Sequence, residues 1–339
     1  PFNTHTFLDD NLQAEVNHEG RPLQASAALE YCHYQLFGHR GEEVLQRAKA
    51  THWASQASIL GVGVCTHTMT VFLEDDQSAE LRELLYSEFV PALVAATPRR
   101  IMSLVGKLRC RAYCIRPGRF FLRRLIDAAG CLRRLDTLVP LSPAFHADLA
   151  MWRELLEDPE LQASSYRTPL YNHLRRTPEV LVVGDAMAES GGGFICGMSL
   201  SVAAWWKVYW PSDVVARFHR TSARLEYHAN MITIAHLELA TLVLGLATMT
   251  ELLPACQGRA VLALADNTNT VSWARRAGAK DWRAAALVRL IGTMEARKRY
   301  SLATKHIEGV KNVESDFISR HGEEEVIAFL ADRPVPSLA

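Results

Sequence analysis

A net charge is missing from this chain of 339 residues, in which 37 Lys and Arg balance 37 Asp and Glu. Its absence argues against a protein that coats nucleic acid by overall attraction. Paired cysteines are missing too. The seven Cys, at 32, 65, 110, 114, 131, 196 and 256, form no C-x-x-C pair, and no second Cys/His pair completes a zinc site with Cys110 and Cys114. That pattern fits a reduced, intracellular compartment, cytoplasmic or nuclear, rather than a secreted disulfide scaffold. No apolar run of about 18 residues and no signal-like leader is evident, so no membrane partner is expected. Internal repeats and low-complexity tracts are also absent, which excludes a repeat architecture.

What is there is enough apolar sequence, 49% of residues, for two cores at roughly 100 to 200 residues per domain. Helical periodicity from about 25 to 50 follows a short strand or hairpin. Two β-rich runs, Leu60-Gly-Val-Gly-Val and Met69-Thr-Val-Phe-Leu, read as a second hairpin. A helical region runs to Glu157, its last helix opened by Ser142 as N-cap and Pro143. The polar, Pro-containing stretch 158–177 reads as the linker. Beyond it come three strands, a long helix, and then alternating strands and helices, which predicts a mixed α/β sheet covered on both faces. The stretch 206–230 is too long for a simple strand-to-helix link and reads as an insertion.

Four acids punctuate this second half. Asp185 ends Val180-Leu-Val-Val-Gly-Asp, Glu238 opens an otherwise apolar helix, Asp266 ends Ala260-Val-Leu-Ala-Leu-Ala-Asp, and Asp316 lies on a short helix after a strand. An unpaired carboxylate on so apolar a helix is costly to bury without a cation. Carboxylates converging from separate elements suit pairs of Mg²⁺ ions, which hydrolyse phosphodiesters. Asp266 with Asn267 could instead be an N-cap cluster, and Gly191-Gly192-Gly193 reads as part of a hairpin rather than a phosphate cradle.

The segments Gly184-Asp-Ala-Met-Ala-Glu-Ser-Gly-Gly-Gly-Phe, His236-Leu-Glu-Leu-Ala, Ala265-Asp-Asn-Thr-Asn-Thr-Val and His306-Ile-Glu-Gly-Val-Lys-Asn-Val-Glu-Ser-Asp-Phe-Ile-Ser-Arg resemble, in order, the motifs of retroelement ribonuclease H domains. Met187 and Ser315 depart from the usual Ser and Ala. The resemblance covers 178–321 and implies a ribonuclease H-like five-stranded mixed sheet flanked by helices. It implies Asp185, Glu238, Asp266 and Asp316 as ligands of Mg²⁺ (or Mn²⁺), and an RNA:DNA hybrid as substrate. His306 would be an auxiliary catalytic or a structural residue. Upstream, Phe7-Leu-Asp-Asp resembles the aromatic-x-Asp-Asp hairpin of reverse transcriptases, with Asp9 and Asp10 as metal ligands. Together with the two β-rich runs and Arg116-Pro-Gly-Arg-Phe-Phe, it resembles the second half of a DIRS-type or gypsy-like reverse transcriptase. That implies a partial palm over 1–75, a helical thumb or connection over 76–157, and a C-terminal helix and tail over 322–339. The start at Pro1 suggests a fragment lacking upstream fingers, so polymerisation is not expected.

Between Arg99 and Arg134 there are eleven Lys and Arg and a single acid, Asp127. Lys107, Arg109, Arg111, Arg116, Arg119, Arg123 and Arg124 are candidates for neutralising phosphates, or simply a solvated helix face. A catalytically inactive relic that binds nucleic acid or protein is the rival reading. A sugar-kinase or actin-like ATPase would need a second phosphate loop that the sequence lacks.

Overall fold

The computed structural model describes residues 4–7, 10–38, 52–59, 61–130, 134–164, 166–173, 177–197, 203–218, 231–253 and 256–331. It divides into two compact units, 1–57 and 58–339. In the first, β1 (Thr4–Phe7) pairs antiparallel with β2 (Asp10–Gln13), and α1 spans Arg21–Phe37. Gln13 Nε2 donates to Ala25 O at 2.9 Å, tying the hairpin to α1. Asp9 and the side chain of Asp10, the expected polymerase remnant, lie outside the described residues.

In the larger unit β3 (Gln56–Ile59) begins at the junction. β4 (Val62–Cys65) and β5 (Thr70–Phe72) form the antiparallel pair expected there. Then follow α2 (Asp75–Glu83), β6 (Ala95–Ala96), α3 (Pro98–Arg111), α4 (Arg123–Gly130), β7 (Val139–Pro140) and α5 (Pro143–Glu157). Thr97 and Ser142 cap α3 and α5 by accepting from Arg100 N at 3.3 Å and Phe145 N at 3.1 Å, each ahead of a proline in the first turn.

The stretch expected as a linker is not one. It carries α6 (Pro159–Ala163) and β8 (Thr168–Pro169), and β8 pairs with β5. Asp158 caps α6 and also receives Arg299 Nη2 at 2.7 and 2.9 Å. One apolar core runs from Leu73 and Leu104 through Phe120 and Trp152 to Val182, Leu246, Ile291 and Leu302. The helical region and the sheet therefore share an interior. Polarity and proline content suggested a boundary because they report exposure and chain direction, not what the flanking helices bury. At Gly118 a Cβ would come within 2.3 Å of the Trp152 ring, so only glycine lets these two meet.

The sheet holds β9 (Val180–Ala186), β10 (Ser190–Gly197), β11 (Ala203–Tyr209), β12 (Ala260–Ala265) and β13 (Ser301–His306) in the order β11-β10-β9-β12-β13. β9, β10 and β11 are antiparallel neighbours, while β12 is parallel to both β9 and β13. The mixed five-stranded α/β sheet is the one the sequence predicts. The three glycines lie inside β10, paired with β9, rather than in its turn. α7 (Ser212–Ala216) follows β11, and residues 219–230 of the expected insertion lie outside the described residues.

α8 (Ile234–Leu252) and α10 (Trp282–Lys298) cover one face, joined by α9 (Thr268–Arg275). α11 (Val313–Arg320) and α12 (Glu323–Ala331) cover the other, over Leu181, Val183, Phe194 and Leu264. The period-two alternation of β9 explains the split, since Val180 and Val182 join the first core while Leu181 and Val183 join the second. α8 has 19 residues with mean hydropathy 1.2, long and apolar enough to cross a bilayer, contrary to the expectation from the sequence. Two thirds of it is buried in the fold, which is what its apolar circumference serves here.

Candidate metal centre

Asp185 sits one residue before the end of β9 and is buried. Its Oδ2 accepts from Ser319 Oγ, on α11, at 2.7 Å. Burial pushes its pKa up to about 6, with the charges of Asp266 and Asp316 adding to the rise while Ser319 and Arg320 oppose it. Glu238 lies on α8 between Leu237 and Leu239, all three buried. Burial raises Glu238 further, to about 9, followed by the charges of Asp266 and Asp185 and a direct carboxyl contact with Asp266. The Asn267 side chain works the other way. Such shifts follow when carboxylates are crowded out of water without a counter-charge.

Asp266 follows the last residue of β12. Asn267 is the cap, accepting from Asn269 N at 2.9 Å and Thr270 N at 3.4 Å. Asp266 is left for Glu238. Its Oδ1 and Glu238 Oε2 are both buried and both lack a hydrogen-bond partner. His306, at the exposed end of β13, has its Nε2 at 2.9 Å from Asp266 O. A carbonyl can only accept, so Nε2 carries the proton there. That bond anchors the strand end beside the cluster and gives His306 a structural task.

Asp316, on α11, is bound by Arg320 through Nε at 2.7 Å and Nη2 at 2.6 Å. The fold thus brings Asp185, Glu238 and Asp266 into mutual electrostatic contact, and the charge of Asp316 reaches Asp185 while its carboxylate is held by Arg320. Among the described residues, no three His, Cys, Asp or Glu stand gathered tightly enough to hold a metal ion as they are. The donor set is nonetheless hard oxygen throughout, with two orphaned acceptors, and fits Mg²⁺ or Mn²⁺.

Glu238 makes a pH prediction. Its folded-state pKa stands above the ordinary 4.5, so the folded chain holds a proton that the unfolded chain releases. The stability this proton carries is fully present below about pH 4.5 and is lost as pH rises toward 9. Glu238→Gln, neutral in both states, should therefore gain in melting temperature over the unsubstituted chain steadily from pH 5 to 9 in the absence of divalent ions. A gap that stays constant or narrows contradicts the assigned shift.

The seven basic candidates fare differently from the acids. Lys107 and Arg111 pair with Glu80 at 3.0 and 2.8 Å, Arg116 and Arg119 with the buried Glu295 at 3.3 and 2.8 Å, Arg123 with Asp127 at 2.6 Å, and Arg124 with Asp148 at 3.7 Å. Arg111 and Arg116 are struts rather than open phosphate contacts, because acids distant in sequence meet them. Arg109 is exposed and has no ion-pair partner among the described residues. It opens, with Arg116, Arg119 and Arg123, onto a cavity of about 950 Å³ whose opposite wall carries Arg276 and Lys280 from the elbow between α9 and α10. These last two are exposed cations that the sequence reading missed. Their signal was present, an Arg275-Arg276 pair and Lys280 around a short helix-to-helix turn. Cys32, Cys65, Cys114, Cys196 and Cys256 are free thiols, and Cys131 lies outside the described residues.

No protein-family model and no curated protein matches the sequence. Solved structures do. Ribonuclease H1 from the halophilic archaeon Halobacterium salinarum NRC-1 is 10% identical over 44% of this chain and 98% of its own, with a TM-score of 0.31. The foamy viral protease-reverse transcriptase in complex with an RNA/DNA hybrid is 9% identical over 90% of this chain, with a TM-score of 0.33. The same viral protein with double-stranded DNA is 10% identical, with a TM-score of 0.29. The chain spans 36% and 46% of the lengths of these two viral chains. At such identities and scores the function rests on the site itself.

Proposed function

We propose that the chain hydrolyses phosphodiesters at the carboxylate cluster, cutting the RNA strand of RNA:DNA hybrids in the presence of Mg²⁺ or Mn²⁺. The observation that carries this reading is the pair of buried, unpartnered oxygens, Glu238 Oε2 and Asp266 Oδ1, on carboxyls in contact. Two carboxyls in contact, each with an oxygen buried and without a donor, call for a proton or a cation between them. Asp185, Glu238 and Asp266 would hold the ions, with Asp316 joining once it leaves Arg320. Bound ions supply positive charge against the crowded phosphate and activation of the attacking water. Ser319 orients Asp185 by its hydrogen bond. Glu238 must release its proton on binding, so affinity for the ion should grow with pH.

The cationic cavity supports a nucleic-acid substrate. It is lined by Asn269, three residues beyond Asp266, and by Arg276 at the far end of α9. A helix of that length spans about 10 to 12 Å, so a backbone held there reaches the carboxylates within a few nucleotides. Recognition of RNA would rest on shape and 2′-hydroxyls rather than on base edges. Polymerisation forms no part of the proposal.

The test is incubation with a hybrid labelled on each strand. The RNA strand should be cut with Mg²⁺ and left whole with chelator, and the DNA strand should survive both. The relic reading draws on one specific observation, the capture of Asp316 by Arg320. It predicts hybrid binding with no cleavage at any Mg²⁺ concentration, and that result would displace the hydrolase.

A further inference from the structure

Lys207 is not part of any motif, yet it occupies a singular place in the sheet. β9, β10 and β11 align Asp185, Gly192 and Lys207 directly opposite one another, in one row across three strands. Residues in such a row share a face, and this face is the one α11 covers. At the centre of the row a Cβ on Gly192 would lie 2.7 Å from Ile318 Cγ2 and 2.9 Å from Trp206 O. Glycine there lets the end of α11 settle between the two flanking side chains.

Both flanking side chains then take hold of it. On one side the Ser319 hydroxyl donates to Asp185 at 2.7 Å. On the other, Lys207 Nζ donates to Ile318 O at 2.7 Å, Ser319 O at 3.0 Å and His321 O at 2.6 Å. An ammonium has three donors and no acceptor, so these three carbonyls use its full capacity. They belong to the last turn and exit of α11, whose carbonyls have no partner within the helix and carry its negative dipole end. Ser190 Oγ also donates to Ser319 O. Asp316 rides on the same short helix, one turn back.

We propose that Lys207 is a positioning residue of the acidic cluster. By capping α11 it fixes where Ser319 meets Asp185 and where Asp316 stands at the rim. The claim rests on the reading of the cluster as the hydrolytic centre. It asks that a residue touching no ligand control how well the ligands assemble, as outer partners of metal ligands do.

The experiment compares the full chain with Lys207→Met, Lys207→Arg and Ser190→Ala. Amide exchange of 313–320 in the metal-free chain reports the clamp itself, and calorimetric titration with Mn²⁺ alone reports the cluster. Lys207→Met should speed exchange in 313–320 while leaving 239–246 of α8 protected. It should weaken Mn²⁺ binding about 10- to 100-fold, and lower kcat on the hybrid with KM little changed. Lys207→Arg, which keeps donors for the carbonyls, should recover most of each loss. Should Lys207→Met not fold, Ser190→Ala must show smaller changes of the same sign in exchange and in Mn²⁺ affinity. Unchanged Mn²⁺ affinity in a folded Lys207→Met, with the unsubstituted chain binding normally, overturns the positioning role and leaves the hydrolytic reading intact. An unsubstituted chain that binds no Mn²⁺ sinks both together.

Discussion

Asp266→Asn should lower Mg²⁺-dependent cleavage of the RNA strand by roughly 10²- to 10³-fold or more, the scale of losing one preorganised electrostatic contact to a transition state. Asparagine keeps the shape and one acceptor but cannot supply the charge that balances a divalent ion. The same substitution should raise the melting temperature of the metal-free chain. Asp266 is the largest charge source acting on Glu238 and helps to raise its pKa, so at neutral pH the folded chain must hold Glu238 protonated at a cost in stability. Neutralising Asp266 lowers that cost, and the new amide can donate to Glu238. Activity and stability thus move in opposite directions, as expected where a site is held under electrostatic strain. Steady-state cleavage and a melting scan on the same preparation check both halves. Near-normal cleavage in the variant removes Asp266 from the ligand set.

Glu295→Ala should destabilise the larger unit by about 3 to 5 kcal/mol, the usual cost of removing one partner from a buried ion pair. Glu295 is 2% exposed and faces Arg116 and Arg119 together, joining α10 to the turn between α3 and α4. Arg116 also donates to Asn172 O at 2.7 Å and Leu302 O at 2.9 Å. It stays in place without the carboxylate, as an uncompensated charge in the joint core. Glu295→Gln, which can still accept hydrogen bonds, should cost less. Denaturant midpoints for the two variants decide this, and a loss below about 1 kcal/mol for the alanine would make the strut ornamental.

The sheet was legible because its signals are local. Val180 to Val183 alternate between two cores, and the switch to helical period at Ile234 is abrupt, so strands and helices fell within a few residues of where they stand. Strand ends and a lone acid on an apolar helix also pointed to Asp185, Glu238 and Asp266. Pairings across long sequence separations were not legible. Nothing near Arg116 announces Glu295, and nothing near Lys207 announces the carbonyls of α11. The basic segment therefore read as a surface when much of it is scaffold. The boundary was missed for a related reason, since Trp152 and Gly118 meet inside a core that the linker-like stretch beyond Asp158 borders rather than divides. Arg276 and Lys280 were overlooked because a charged turn acquires meaning only from the wall opposite it.

The most direct test of the central claim is anomalous diffraction from crystals of the chain soaked in Mn²⁺. A peak is expected bounded by the carboxylates of Asp185, Glu238 and Asp266, weakened or lost in Asp266→Asn, with Asp316 freed from Arg320 if a second ion enters. A chain that cleaves the hybrid while its ordered Mn²⁺ lies elsewhere, with Glu238 and Asp266 still sharing a proton, contradicts it.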